Sequence, residues 1–158
     1  YFRLEFFGGL STLMDDRKST KSVEQSIKDA EEIIANAESL ECLEKCLGKA
    51  AEGMQFQGAN LTFFQENGRL GSSVYQENYS VGKVISWSDY KQSGYFSRDK
   101  EFVAEFQILG RNYSYGKIRY VFMDGRSNLS VQDEVLLERI HDALAILAGR
   151  LRKAEYQL

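Results

Sequence analysis

Proline is missing from this chain altogether, and histidine and tryptophan each occur once in 158 residues. Without proline, no stiff Pro-rich linker divides the chain, and its length suits one domain with its own core. Cysteine is scarce, with only Cys42 and Cys46. One helical turn apart, the two share a side. That geometry is poor for a disulfide, and two ligands are too few for a closed tetrahedral zinc site. They are expected to be reduced, small apolar thiols in a reducing compartment. No run of about 20 apolar residues occurs, which argues against a membrane span, and no signal-peptide pattern is visible. Cations are not in excess. The 20 Lys and Arg against 23 Asp and Glu leave a net charge of −3, the wrong sign for a general binder of nucleic-acid backbone. Neither GxGxxG nor GxxxxGK[ST] is present, so no phosphate-cradling loop is signalled, and Asp15-Asp16 lacks calcium-loop spacing. Nothing points to a metal or a cofactor. The chain opens on Tyr1, not Met, and reads as a piece of a longer protein.

What the sequence does contain is pattern. Tyr1–Leu10 is aromatic and breaks at Gly8-Gly9, and residues 1–20 read as a connector or junction to a missing N-terminal region. Ser22 with Gln25 fits a capping box. Val23, Ile27, Ala30, Ile34 and Ala37 then recur at helical spacing, a stripe suited to a partner helix. Ser39 looks like a second N-cap, followed by Leu40, Leu43, Leu47, Ala50 and Met54 on one helix face, with Gly53 at its end. Asn67-Gly68, between Ala59–Glu66 and Leu70–Glu77, is a strong hairpin signal. A loosely patterned stretch, Asn78–Glu101, holds one short strand at Val84–Trp87. Phe102–Leu109 and Lys117–Asp124 alternate as strands. The remaining glycines, Gly71, Gly110, Gly116 and Gly125, read as turn markers. Ser130 with Asp133 starts a last helix whose buried face is Leu136, Ile140, Ala143, Leu147 and Leu151. The sum is an α+β domain. It has a central antiparallel sheet of five to six strands, with the N- and C-terminal helices packed on one face.

SLECLEKCLGKAAEGMQFQGANLTFFQENGRL resembles the opening of a GAF domain, and FVAEFQILGRNYSYGKIRYVFMDGRSNLSVQDEVLLERIHDALAILAGRLRKA resembles its close. The resemblance covers roughly residues 39–154 within a domain of residues 21–158. It implies a GAF/PAS-like sensory fold in a bacterial signalling protein. The chain departs from the family's best-known chemistries. It lacks the usual proline of the penultimate strand, the NKFDE-type signature of cyclic-nucleotide binders, and any cysteine beyond Cys46 for a bilin or for sulfoxide reduction. The strand end at Asp124-Gly125-Arg126 and the last helix are also similar to the soluble C-terminal extension of some bacterial undecaprenyl-phosphate N-acetylglucosaminyl-1-phosphate transferases. On that likeness the piece is cytoplasmic, attached to an inner-membrane parent.

Candidate functional residues follow. His141 lies one residue off the apolar stripe and is expected at the surface or boundary, away from any nucleophile. In a GAF-like fold the segment after the hairpin forms a lid over the sheet. This makes Tyr75, Ser86, Trp87, Ser88, Asp89, Tyr90, Tyr95, Phe96 and Arg98 the ligand-pocket candidates, with aromatics enclosing a small molecule and polar groups orienting it. GAF-type dimers bundle their terminal helices. That gives Val23, Ile27, Ile34, Leu136, Ile140, Leu144, Leu147 and Leu151 as candidates for a homodimer seam. The expected function is a non-catalytic regulatory module that binds a small ligand, dimerises, or does both. The alternative is a purely structural dimerisation domain with a filled pocket, appended to a membrane-bound sugar-phosphate transferase.

Overall fold

A computed structural model describes residues 22–73, 79–89 and 101–155. Helix α1 spans residues 22–35 and buries Ile27, Ala30 and Ile34. Ser39 then caps as expected, its Oγ accepting from Glu41 N at 3.4 Å. The element it caps is a single 3-10 turn, Leu40–Cys42, which leads into α2, Leu43–Met54. Helix α2 does not end at Gly53. It runs one residue further and closes on Gln55 in the left-handed conformation (φ 63°), whose N–H bonds to Ala51 O. Gly53 serves another purpose: a Cβ there would stand 2.8 Å from Ser26 Cβ and 3.1 Å from Val23 Cα. A bare backbone is what lets α1 and α2 touch.

Strand β1, Gly58–Glu66, turns through Asn67-Gly68, both at positive φ. That is the conformation a two-residue hairpin requires. The returning strand is shorter than its sequence suggests. β2, Arg69–Leu70, pairs with β1. Gly71 (φ +90°) breaks the line, and β3, Ser72–Ser73, pairs with a different strand. β4 is Ser80–Ser88 and runs antiparallel along β1. β5 is Phe102–Leu109, as the alternation predicts. β6, Tyr113–Phe122, starts earlier than Lys117 and ends before Asp124. The sheet is antiparallel throughout, ordered β4-β1-β6-β5, with β2 added to β1 and β3 to β6. α3, Val131–Glu155, follows a Ser130 cap whose Oγ accepts from Asp133 N at 3.0 Å.

Two expectations change here. In the stretch after the hairpin, the strand expected at Val84–Trp87 is a full edge strand over residues 80–88, and residues 90–100 lie outside the described ones. Gly116 is not a turn. It sits mid-strand opposite Phe63, where a Cβ would lie 2.0 Å from Thr62 O, so the chains could not approach with any side chain present.

One sheet face meets the helices. Ala59, Leu61 and Phe63 of β1, Ile85 of β4, Ile108 of β5 and Ile118, Tyr120 and Phe122 of β6 point inward. They meet Ile27, Ile34, Leu43, Leu47, Leu137, Ile140 and Leu144 from the helices. Each such side chain contributes roughly 1.5–3 kcal/mol by leaving water. The opposite face presents Asn60, Ser86, Glu105, Gln107 and Arg119. Side-chain links tie α3 to α1 and to the segment that follows it: Arg139 pairs with Glu31, and Arg150 donates to Ala37 O. Among the described residues no helix is long and apolar enough to cross a membrane.

Candidate functional site

Strand alternation sorts the predicted pocket residues. On β4, Ile85 and Trp87 face the helices, whereas Ser86 and Ser88 are exposed on the other side. Trp87 and those two serines therefore cannot line one pocket. Ser86 instead donates to Asn60 Oδ1 at 2.6 Å. Asp89 does join Trp87: its N–H bonds to Gln57 O at 2.9 Å, which brings its side chain to the same cleft. Tyr75, Tyr90, Tyr95, Phe96 and Arg98 lie outside the described residues.

The cleft over Trp87 holds about 300 Å³ between α2 and the β4 end of the sheet. Its apolar wall is Trp87 against Phe56, ring centres 5.7 Å apart and nearly perpendicular. Phe56 continues inward to Tyr120 and Phe122, so the rim is coupled to the core by aromatic packing. Gly48 makes room: a Cβ there would stand 3.0 Å from the indole nitrogen. Across the opening are Glu52, Asp89 and Asp124. Burial alone would raise the Asp124 carboxyl, but the hydrogen bonds and charge of Arg126 outweigh it and hold the group below its ordinary value. Arg126 is fixed in turn. It lies over the Phe122 ring at 4.2 Å, donates to Met54 O, and pairs with Asp133 at 3.7 Å. Gln57 locks the floor, its Oε1 accepting from Met123 N at 2.6 Å. The cleft can offer a planar apolar surface, one indole donor and carboxylate acceptors.

His141 overturns its expected placement. It is 6% exposed, with Nε2 2.9 Å from the Tyr120 hydroxyl and the Phe106 ring 4.8 Å away. The physical reason is the width of the buried face of α3. A second apolar row, Leu137, Leu144 and Ala148, flanks His141 at helical spacing and carries it inward. That spacing was the signal available in the sequence. Burial lowers the imidazole to about 4, so it is neutral, and burial likewise pushes Tyr120 well above its usual value. Cys46 is fully buried, and burial, aided by Cys42, pushes its thiol up to about 12. Neither group is poised as a base or nucleophile facing a cleft.

The seam residues are also placed. Ile27, Ile34, Leu136, Ile140, Leu144 and Leu147 are buried within their own chain, and Val23 and Leu151 are half-buried against the same core. The seam anticipated from them is filled from inside the protomer. Among the described residues no group of three His, Cys, Asp or Glu side chains converges to hold a metal. No protein-family model and no curated protein matches the chain.

Proposed function

We propose that this chain is a non-catalytic regulatory module of the GAF-like kind, within a larger bacterial protein, and that it binds a small ligand in the cleft over Trp87. The observation that carries the reading is the indole N–H. The indole lines the cleft beside Gly48, and its N–H hydrogen-bonds to nothing among the described residues. A ligand would stack or wedge against Trp87, accept from that N–H and donate toward Asp89. The antiparallel order β4-β1-β6-β5, with helices on a single face, supports the sensory kinship. The inert states of His141 and Cys46 support a binding rather than a catalytic role.

Trp87 is the sole tryptophan of the chain, so its fluorescence reports the cleft directly. Gentle native mass spectrometry should retain an extra mass per chain, and adding the released compound back should shift the Trp87 emission. A clean mass and an unchanged emission across a metabolite panel would overturn the reading. They would leave a second one, a structural dimerisation module appended to a membrane-bound sugar-phosphate transferase. One observation favours that second reading: Val131, Val135 and Ile146 stay 78%, 56% and 70% exposed along one stripe of α3. If a second copy covers that stripe, Ile146→Glu should shift the mass measured by light scattering from dimer to monomer.

A further inference from the structure

Tyr115 stands apart from the other core tyrosine. The residue is 7% exposed overall, and its hydroxyl, which bonds to nothing among the described residues, keeps contact with solvent. Its ring is held by three glycines from three separate segments. A Cβ at Gly71, Gly110 or Gly149 would stand 2.8, 2.4 or 3.2 Å from a Tyr115 atom, and at Gly149 that atom is the hydroxyl oxygen itself. The hydroxyl thus sits at the floor of a cleft of about 670 Å³ between the β5–β6 turn and the last turns of α3. That volume lies within the range of small-molecule sites.

The walls of this cleft are cationic. Arg111 comes from the β5–β6 turn, and Arg150, Arg152 and Lys153 come from α3, with no carboxylate among the described lining residues. In a chain of net charge −3, gathering four cations around one opening is a marked departure from the average surface. The two arginines nearest the fold are pre-oriented. Arg150 donates to Ala37 O, while Arg152 donates to Leu70 O and lies 3.8 Å over the Tyr113 ring. Nearby carboxylates are turned to backbone N–H groups: Glu66 accepts from Ser73 N and Glu155 from Leu70 N.

The helix dipole explains part of this. Arg152 and Lys153 in the last turn of α3 complement its negative end. The dipole does not account for Arg111, which comes from another element and lines the same cleft as the Tyr115 ring. We propose that this cleft is an anion site for a compact phosphate-bearing group of the phosphomonoester or diphosphate class. In it the Tyr115 hydroxyl donates to one phosphate oxygen while Arg111 and Lys153 close over the others. Guanidinium forks match phosphate geometry, and charge-assisted bonds of this kind are the strong ones. Burial, the largest influence on Tyr115, raises its hydroxyl above the ordinary value and keeps it protonated as a donor. The site is separate from the Trp87 cleft and stands whether or not that cleft binds anything.

The test is calorimetric titration of the 158-residue chain with pyrophosphate and with inorganic phosphate, alongside co-sedimentation with vesicles containing an anionic phospholipid. Two variants serve as controls. Tyr115→Phe keeps the ring among its glycines and removes only the hydroxyl, and Arg111→Gln alters an exposed turn residue. Unliganded melting temperatures should match the parent within a few degrees. Pyrophosphate is expected to bind, with affinity falling at least fivefold in Tyr115→Phe and at least tenfold in Arg111→Gln, and weakening with added salt. If instead only vesicles bind, with the same two losses, the phosphate source is a lipid headgroup and the site assignment stands. No binding in either arm, or binding indifferent to both substitutions, overturns it.

Discussion

Acid should unfold this protein through one side chain before its carboxylates matter. His141 takes up a proton at pH 6.5 in the unfolded chain but only at about 4 in the folded one, because the folded site is dry. Between those values the unfolded state binds more protons, so stability is fully present above pH 6.5 and is lost as pH falls toward 4. Integrating that difference from pH 7 to pH 5 gives a loss of about 2 kcal/mol from His141 alone, at a slope approaching 1.4 kcal/mol per pH unit. For a domain whose total stability is of order 10 kcal/mol, that is a large fraction. Urea unfolding followed by circular dichroism at pH 7 and pH 5 measures it. His141→Gln retains an acceptor for Tyr120 and cannot titrate. The variant should be less stable than the parent at pH 7 but should show about 2 kcal/mol less pH dependence. An equal pH difference in parent and variant, or an NMR titration placing the native imidazole near 6.5, would refute the reasoning.

Other predictions test neighbouring parts of the fold. Tyr120→Phe leaves His141 Nε2 buried without its partner and should cost about 1–3 kcal/mol in urea unfolding; a cost near zero would mean that the pair does not stabilise the core. Gly53→Ala gains helix propensity of about 1 kcal/mol but pushes a methyl into Ser26 and the Val23 backbone, so the net should be destabilising by about 1–2 kcal/mol. Alkylation with iodoacetamide should label the half-exposed Cys42 in the native protein and reach Cys46 only on unfolding, since Cys46 is buried with its thiol near 12. Comparable native rates for the two, read by peptide mass mapping, would contradict the interior placement.

The sequence revealed the fold unevenly, and the physical reasons are specific. Phe102–Leu109 was legible to the residue because Phe102, Ala104, Phe106 and Ile108 recur at every second position, with Glu105 and Gln107 between them. Ser39, Ser130 and Asn67-Gly68 were legible because capping and hairpin turns demand particular atoms at particular positions. β4 was largely missed. It is an edge strand of SVGKVISWS composition that buries only Ile85 well, so its alternation is faint, and Val81 and Val84 are both 53% exposed. β6 began early because Tyr113 and Tyr115 belong to it, although RNYSYG reads as a turn. Of the aromatic lid residues, Trp87 and Asp89 line one cleft, while Ser86 and Ser88 lie on the other strand face. The His141 placement failed because a single apolar row was counted where α3 buries two. The cationic cleft had no linear signature, since Arg111 and Lys153 meet only once the β5–β6 turn reaches the end of α3.

The three glycines around Tyr115 carry a consequence for sequence divergence. A large ring filling the space of three missing side chains is a coupled unit: a Cβ collides with it at Gly71 and Gly110 and crowds its hydroxyl at Gly149. In any set of relatives that keep the aromatic at this position, Gly71, Gly110 and Gly149 should be retained together. Where the ring shrinks, Gly110 and Gly149 should become free to vary together, whereas Gly71 stays glycine for its positive φ. Divergence would therefore pass this corner of the fold as a linked set, Tyr115 with Gly110 and Gly149, leaving a covariation signal that marks the cleft before any ligand is known.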